Sequence, residues 1–151
     1  MSYVSSYFHC VFSTKERRPL IPPALRDRLW PYVGGIAREN DMKAIEIGGM
    51  PDHVHILIGL KPAMALADLV RDIKADSSDF ISRKKWVRGR FSWQEGYGAF
   101  SYGHSQLDTI IRYIQNQEQH HRRRSFKDVY LAWLKKFEIP FEEKYVFQFI
   151  E

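Results

Sequence analysis

The sequence predicts an α+β fold, an antiparallel sheet with helices packed on it, and three observations carry that prediction. Apolar residues alternate in several short β-rich runs; elsewhere they recur at three- and four-residue spacing over longer stretches. The two kinds of run then interleave in the order β-α-β-β-α-β before further helical segments follow. At 151 residues, 44% hydrophobic and 15% aromatic, the chain can bury a core and reads as one domain over residues 1–151.

Residues 4–13 form the first strand, because Phe8, Cys10 and Phe12 alternate with Tyr7, His9 and Val11 and both faces can be buried. Arg17-Arg18-Pro19 and Pro22-Pro23 end it. Proline is tolerated in a helix's first turn, so Pro23 opens a helix to about Asn40 with the stripe Leu25, Leu29, Ile36 and Ala37. Residues 42–48 and 53–60 are two strands joined by the turn Gly49-Met50-Pro51-Asp52. Leu66, Leu69, Val70, Ile73, Phe80 and Ile81 predict a second helix to about Lys85. Residues 91–101, aromatic and interrupted by Gly96 and Gly98, predict a strand with a bulge. An antiparallel sheet in this order with both helices on one face is ferredoxin-like (RRM-like).

Ser105, with Asp108 three residues later, opens a third helix expected to reach about Arg123. Its core stripe is Leu107, Ile110, Ile111 and Ile114, while Tyr113, Gln117, His120 and Arg124 share a neighbouring face. This C-terminal, tyrosine-bearing helix is followed by a further amphipathic one over 126–137. The tail, 139–151, holds two more apolar runs that periodicity alone does not assign.

Composition excludes several classes. No run approaches the ~20 apolar residues of a membrane span. The N-terminus lacks the basic and apolar regions of a signal peptide, and the lone Cys10 forms no internal disulfide, so a cytoplasmic location is expected. The net charge of +5 is gathered into clusters. Arg83, Lys84, Lys85, Arg88 and Arg90 surround Trp86; Arg122, Arg123 and Arg124 follow two histidines; Lys15, Arg17 and Arg18 lie near the start. Cations interleaved with aromatics favour single-stranded nucleic acid over a lipid surface.

The run Asp52-His53-Val54-His55-Ile56-Leu57 carries the most chemistry. Alternate side chains of a strand share a face, so His53 and His55 project together, about 7 Å apart along the strand. Burying two imidazoles costs free energy unless each is satisfied. A closed structural zinc site wants four nitrogen or sulfur ligands, and thiolates are nearly absent here. An open site of two imidazoles and an oxygen donor suits a catalytic divalent ion. One helical turn separates Tyr113 from the Gln117 amide, so a single helix face can carry a phenol and such an oxygen.

These residues resemble a known family. His53-Val54-His55 is similar to the HUH motif (histidine, hydrophobic, histidine), and Tyr113-Ile114-Gln115-Asn116-Gln117 to the tyrosine-x-x-x-glutamine helix of the single-tyrosine HUH transposases, of the insertion-sequence 200/605 kind and their REP-associated relatives. Met50-Pro51-Asp52, Trp93-Gln94-Glu95-Gly96-Tyr97 and Gln117-Glu118-Gln119-His120-His121 extend the likeness, in the same order, over about residues 3–125. The resemblance implies His53, His55 and Gln117 as ligands of Mg²⁺ or Mn²⁺, and Tyr113 as the nucleophile that forms a 5′-phosphotyrosine link and frees a 3′-OH. It also implies hairpin-bearing single-stranded DNA ends as substrate and a homodimer. The glycine-containing segment before the tyrosine helix further suggests active sites shared between the two chains.

Two other readings use the same residues. A ferredoxin-like sheet can bind nucleic acid without catalysis through aromatics on an open face, here Tyr7, Phe8, Phe91, Trp93 and Phe100. A domesticated relative acting on chromosomal repeats would share the chemistry and differ in the DNA that flanks its gene.

Overall fold

The computed structural model describes residues 3–147. Four strands, β1 (Tyr7–Ser13), β2 (Lys43–Met50), β3 (His53–Gly59) and β4 (Gly98–Tyr102), form one sheet in the order β2-β3-β1-β4. All neighbours are antiparallel. With α1 (Pro23–Glu39) and α2 (Leu66–Arg83) as the crossovers, this is the expected ferredoxin-like topology.

One face of the sheet carries Cys10, Phe12, Val54, Ile56 and Ile58 into a core with Leu29, Val33, Ile36 and Ala37 of α1 and Leu69, Val70, Ile73 and Ile81 of α2. The opposite face is covered by three more helices, α3 (Leu107–Gln115), α4 (Gln117–His121) and α5 (Phe126–Lys136). There Val11 and Phe100 meet Phe126, Tyr130 and Leu134 of α5, together with Phe147 from the tail. This second layer explains why β1 and β3 are apolar on both faces, and it closes the sheet that a stacking module would need to leave open. Phe91, Trp93 and Phe100 are all buried.

Three element boundaries differ from the sequence expectation. Strand β2 continues through Met50, so the hairpin turns on Pro51 and Asp52, with Met50 paired to His53. Residues 91–97 are not strand apart from an isolated Thr14–Trp93 bridge; Trp93 Nε1 donates to Ser77 Oγ at 3.0 Å and its ring fills the core under α2. Packing, not alternation, therefore placed these aromatics. The third helix breaks at Asn116 (φ −106°, ψ 32°), whose side-chain amide donates to the Arg112 carbonyl at 2.8 Å and caps α3.

Close approach fixes how α3 lies. A Cβ on Gly48 would sit 2.8 Å from Ile114 Cγ2 and 2.9 Å from the Ile114 carbonyl oxygen, so only glycine lets α3 press against β2 here. Gly48 is paired with His55, which puts this contact on the histidine face.

Candidate active site

Strand register assembles the site. Val11 pairs with His55 and Ser13 with His53, so both histidines project from the sheet centre toward α3–α5, each at most 1% exposed. The break at Asn116 starts a new short helix at Gln117 and aims its side chain inward. Gln117 is buried; its Nε2 donates to the Tyr113 carbonyl at 3.0 Å, which leaves Oε1 facing His53 Nε2 at 3.3 Å. His121 Nε2 lies 2.9 Å from the same oxygen. The ligand-capable nitrogens of His53, His55 and His121 all fall within 4.8 Å of one another.

Each strand histidine is held from behind. The Asp52 carboxylate accepts from His53 Nδ1 at 2.7 Å, and His9 Nε2 lies 2.8 Å from His55 Nδ1. Burial works to raise the Asp52 pKa, but the hydrogen bond and charge of His53, with Arg17 nearby, leave it below the ordinary value. Burial lowers His9 to about 3. It also lowers His55 well below the usual range, helped by His53, His9 and His121. The His9 and His55 rings are therefore held neutral.

Among the described residues, His55 Nε2 is buried without a hydrogen bond. His53 Nε2 faces an acceptor, Gln117 Oε1, and with a single proton on Nδ1 toward Asp52 it would present a bare lone pair there. Converging acceptors with no proton between them suit a cation, and two imidazoles with an amide oxygen suit a divalent one. The donor set fits the implied metal.

Tyr113 stands beside this cluster. Its ring centroid is 5.5 Å from His55, 4.8 Å from His120 and 5.3 Å from Trp133. Among the described residues its buried hydroxyl has no hydrogen-bond partner, and burial pushes its pKa up to about 12. Clefts open on both sides of the ring. One, of about 400 Å³, is lined by Arg112, Asn116, His120 and Arg123; the other, of about 280 Å³, by Tyr102, Gln106, Trp133 and Lys136. All these groups belong to one chain. Within the chain described, α3 follows β4 after residues 103–106 and seats against Gly48, which brings Tyr113 and Gln117 to its own His53 and His55.

The basic clusters separate. Arg122, Arg123 and Arg124 are exposed in the turn directly after α4, at the rim of the site. Arg17 is held by Asp52 at 3.4 Å and lies over the rings of Phe126 and Phe147, so it supports the His53 side as much as it faces solvent. Lys15 is exposed, and Arg18 pairs with Glu16. Arg83 ends α2, and Lys84, Lys85, Arg88 and Arg90 follow it, in the other layer. Trp86 packs edge-on against Phe80 there and is not a free stacking platform.

Sequence reasoning missed His9, His121, Phe126 and Trp133 as site residues. Phe126 stacks flat on His53, with ring centroids 3.7 Å apart, and Trp133 walls Tyr113. His9 had a usable signal, since strand alternation puts it on the same β1 face as Val11.

A family model described as transposase IS200 like matches residues 2–117. The chain belongs to the IS200-like transposase family. The matched region holds both strand histidines, Tyr113 and Gln117 and ends before α5. The IS200-like chain is 26% identical over 115 residues to the ISDra2 transposase TnpA of Deinococcus radiodurans, covering 73% of this chain and 82% of that one. A crystal structure of a Deinococcus radiodurans protein described as a transposase superposes with a TM-score of 0.60 at 27% identity, over 78% of this chain and 95% of that one. The structure of a REP-associated tyrosine transposase bound to a REP hairpin also gives a TM-score of 0.60, at 14% identity over 80% of this chain and 72% of that one, a likeness of fold.

Proposed function

We propose that this transposase cleaves and rejoins single-stranded DNA through a covalent 5′-phosphotyrosine at Tyr113, with His53, His55 and Gln117 holding Mg²⁺ or Mn²⁺. The observation that supports it best is the convergence of His53 Nε2, Gln117 Oε1 and the unpartnered His55 Nε2 beside the Tyr113 ring.

When bound, the ion supplies Lewis-acid polarisation of a phosphate oxygen. The chain supplies the rest. Tyr113 Oη bonds to phosphorus as the bond from phosphorus to the 3′ oxygen breaks, and the phenol's proton is balanced by the one the 3′-OH gains. Burial raises the phenol's pKa to about 12, so Tyr113 enters the reaction protonated and must lose its proton as the bond to phosphorus forms. Packing by His55, His120 and Trp133 fixes the ring, so little orientational freedom is lost on reaction. In rejoining, the 3′-OH attacks the phosphotyrosine and Tyr113 departs.

The substrate we propose is a hairpin-bearing single-stranded end, bound through Arg122, Arg123 and Arg124, with Lys15, Arg17, Arg18 and the Arg83–Arg90 cluster as further contacts. The hairpin in the related REP-associated structure and the exposed cations at the rim support this. The partner is a second copy of the chain in a cytoplasmic homodimer. Mixing Tyr113→Phe with His55→Ala protein tests its architecture: a site built within one chain yields no covalent DNA, whereas one shared between chains restores it on the His55→Ala chain.

The central test is labelled single-stranded DNA from the gene's own flanks with Mn²⁺, read on a denaturing gel. A band surviving SDS is expected from wild type and none from Tyr113→Phe, whose ring still packs. An adduct persisting in that variant would move the nucleophile to Tyr97 or Tyr102.

A further inference from the structure

We propose that His121 is a third imidazole ligand of the divalent-ion site, making it a centre of three nitrogens and one amide oxygen that prefers Mn²⁺ and later transition ions to Mg²⁺. The inference rests on the metal-site reading above and adds to it one residue and one selectivity.

Both ring nitrogens of His121 face oxygen acceptors. Nδ1 lies 3.1 Å from the Arg124 carbonyl oxygen. A neutral imidazole carries one proton, so only one of the two contacts can be a hydrogen bond; with the proton donated to the Arg124 carbonyl, Nε2 keeps a lone pair. That lone pair faces Gln117 Oε1 at 2.9 Å. The Gln117 amide is not free to flip and offer a proton, because its nitrogen already donates to the Tyr113 carbonyl at 3.0 Å. In that tautomer two acceptors meet at hydrogen-bond distance, an arrangement a bound cation would satisfy.

The same pattern holds at all three rings. Nδ1 of His53 faces the Asp52 carboxylate, Nδ1 of His55 faces His9, and Nδ1 of His121 faces the Arg124 carbonyl. Every Nε2 thereby faces the centre of the cluster, where it offers a lone pair when the ring's proton sits on the outer Nδ1. An outer partner on one nitrogen and a free lone pair on the other is how imidazole ligands are oriented around metals. The three inward nitrogens lie within 4.8 Å of one another, and ligands at metal–nitrogen distances of about 2.1 Å sit roughly 3.4 Å apart in a tetrahedral arrangement. Side-chain rotations on the order of 1 Å close that gap.

Local structure explains why His121 arrives there. The break at Asn116 makes α4 a separate one-turn helix, and residues 117 and 121, four apart, share its inward face. His53 and His121 rings are also packed edge to face at 5.0 Å. Selectivity follows from donor type: Mg²⁺ favours oxygen ligands and retained water, whereas imidazole favours the later first-row ions.

The test uses wild-type protein labelled with ¹⁵N in its histidine rings and titrated with ¹¹³Cd²⁺, with ring nitrogens coupled to cadmium counted by NMR. Calorimetry with Mn²⁺ and with Mg²⁺ accompanies it on wild type and His121→Ala. Three coupled Nε2 atoms, from His53, His55 and His121, are expected, with Mn²⁺ affinity falling at least about tenfold in His121→Ala and Mg²⁺ affinity changing little. Coupling from His53 and His55 alone would overturn the third ligand and leave the two-histidine site standing. Coupling from no histidine would overturn the metal reading itself.

Discussion

On the face under α1 and α2, β1 and β3 contribute Cys10, Phe12, Val54, Ile56 and Ile58 to a continuous apolar core. On the other face the same two strands contribute His9, Ser13, His53 and His55, beside Val11 and Leu57. Both rows are buried, yet their free energies run in opposite directions. Each fully buried aliphatic side chain of the first row stabilises the fold by about 1.5–3 kcal/mol. The imidazoles of the second gain nothing comparable and must be held by Asp52, His9 and Gln117 to be tolerated. One face therefore supplies the stability that allows the other to carry a chemically demanding, under-satisfied cluster, and β3 serves both because its side chains alternate.

The two faces should part most visibly at His55. His55→Ala should lower covalent cleavage by orders of magnitude, since an electrophile's contribution to the transition state is several kcal/mol. Chelation of wild type with EDTA should do the same; cleavage indifferent to both would leave the pair as core histidines. One residue further along the strand the expected effect changes kind. Ile56→Ala should cost about 2–5 kcal/mol of stability in denaturant melts, while the protein that remains folded still forms the adduct at a near wild-type rate. A specific loss of chemistry there, with little loss of stability, would show that the two faces are not separable.

Acid sharpens the contrast. The unfolded chain protonates His9 near pH 6.5, but the folded chain does so only near pH 3, so stability falls as pH drops through that window. The metal-free protein should lose on the order of a few kcal/mol in this way. Circular dichroism across the window, repeated with His9→Gln, should show a shallower slope in the variant; an unchanged slope would assign the acid sensitivity elsewhere. The smallest effect concerns DNA. Replacing Arg122, Arg123 and Arg124 by alanine should weaken single-strand binding and reduce its salt slope by about 0.7 for each phosphate no longer neutralised. Replacing Arg83, Lys84 and Lys85 should do less, because they lie in the α1/α2 layer; equal effects would show DNA wrapping both faces.

Much of this was legible in the chain. Alternation and helical spacing report which residues share a face, and that sufficed for the order of strands and helices, the ferredoxin-like class, the shared face of His53 and His55, and the turn that links Tyr113 to Gln117. Those are local properties, set by backbone geometry within a few residues. The tertiary structure alone decided what meets each face. Periodicity extended the tyrosine helix through Asn116 because it does not register a side-chain amide competing for the Arg112 carbonyl. It gave Phe91 and Trp93 to a strand, although the pocket beside Ser77 claimed the indole. Nor does spacing along one chain bring His9, His121, Phe126 and Trp133 together. Their meeting depends on strand register, on the space left at Gly48 and on the path of α3–α5 across the sheet, all of which arise from packing between residues far apart in sequence.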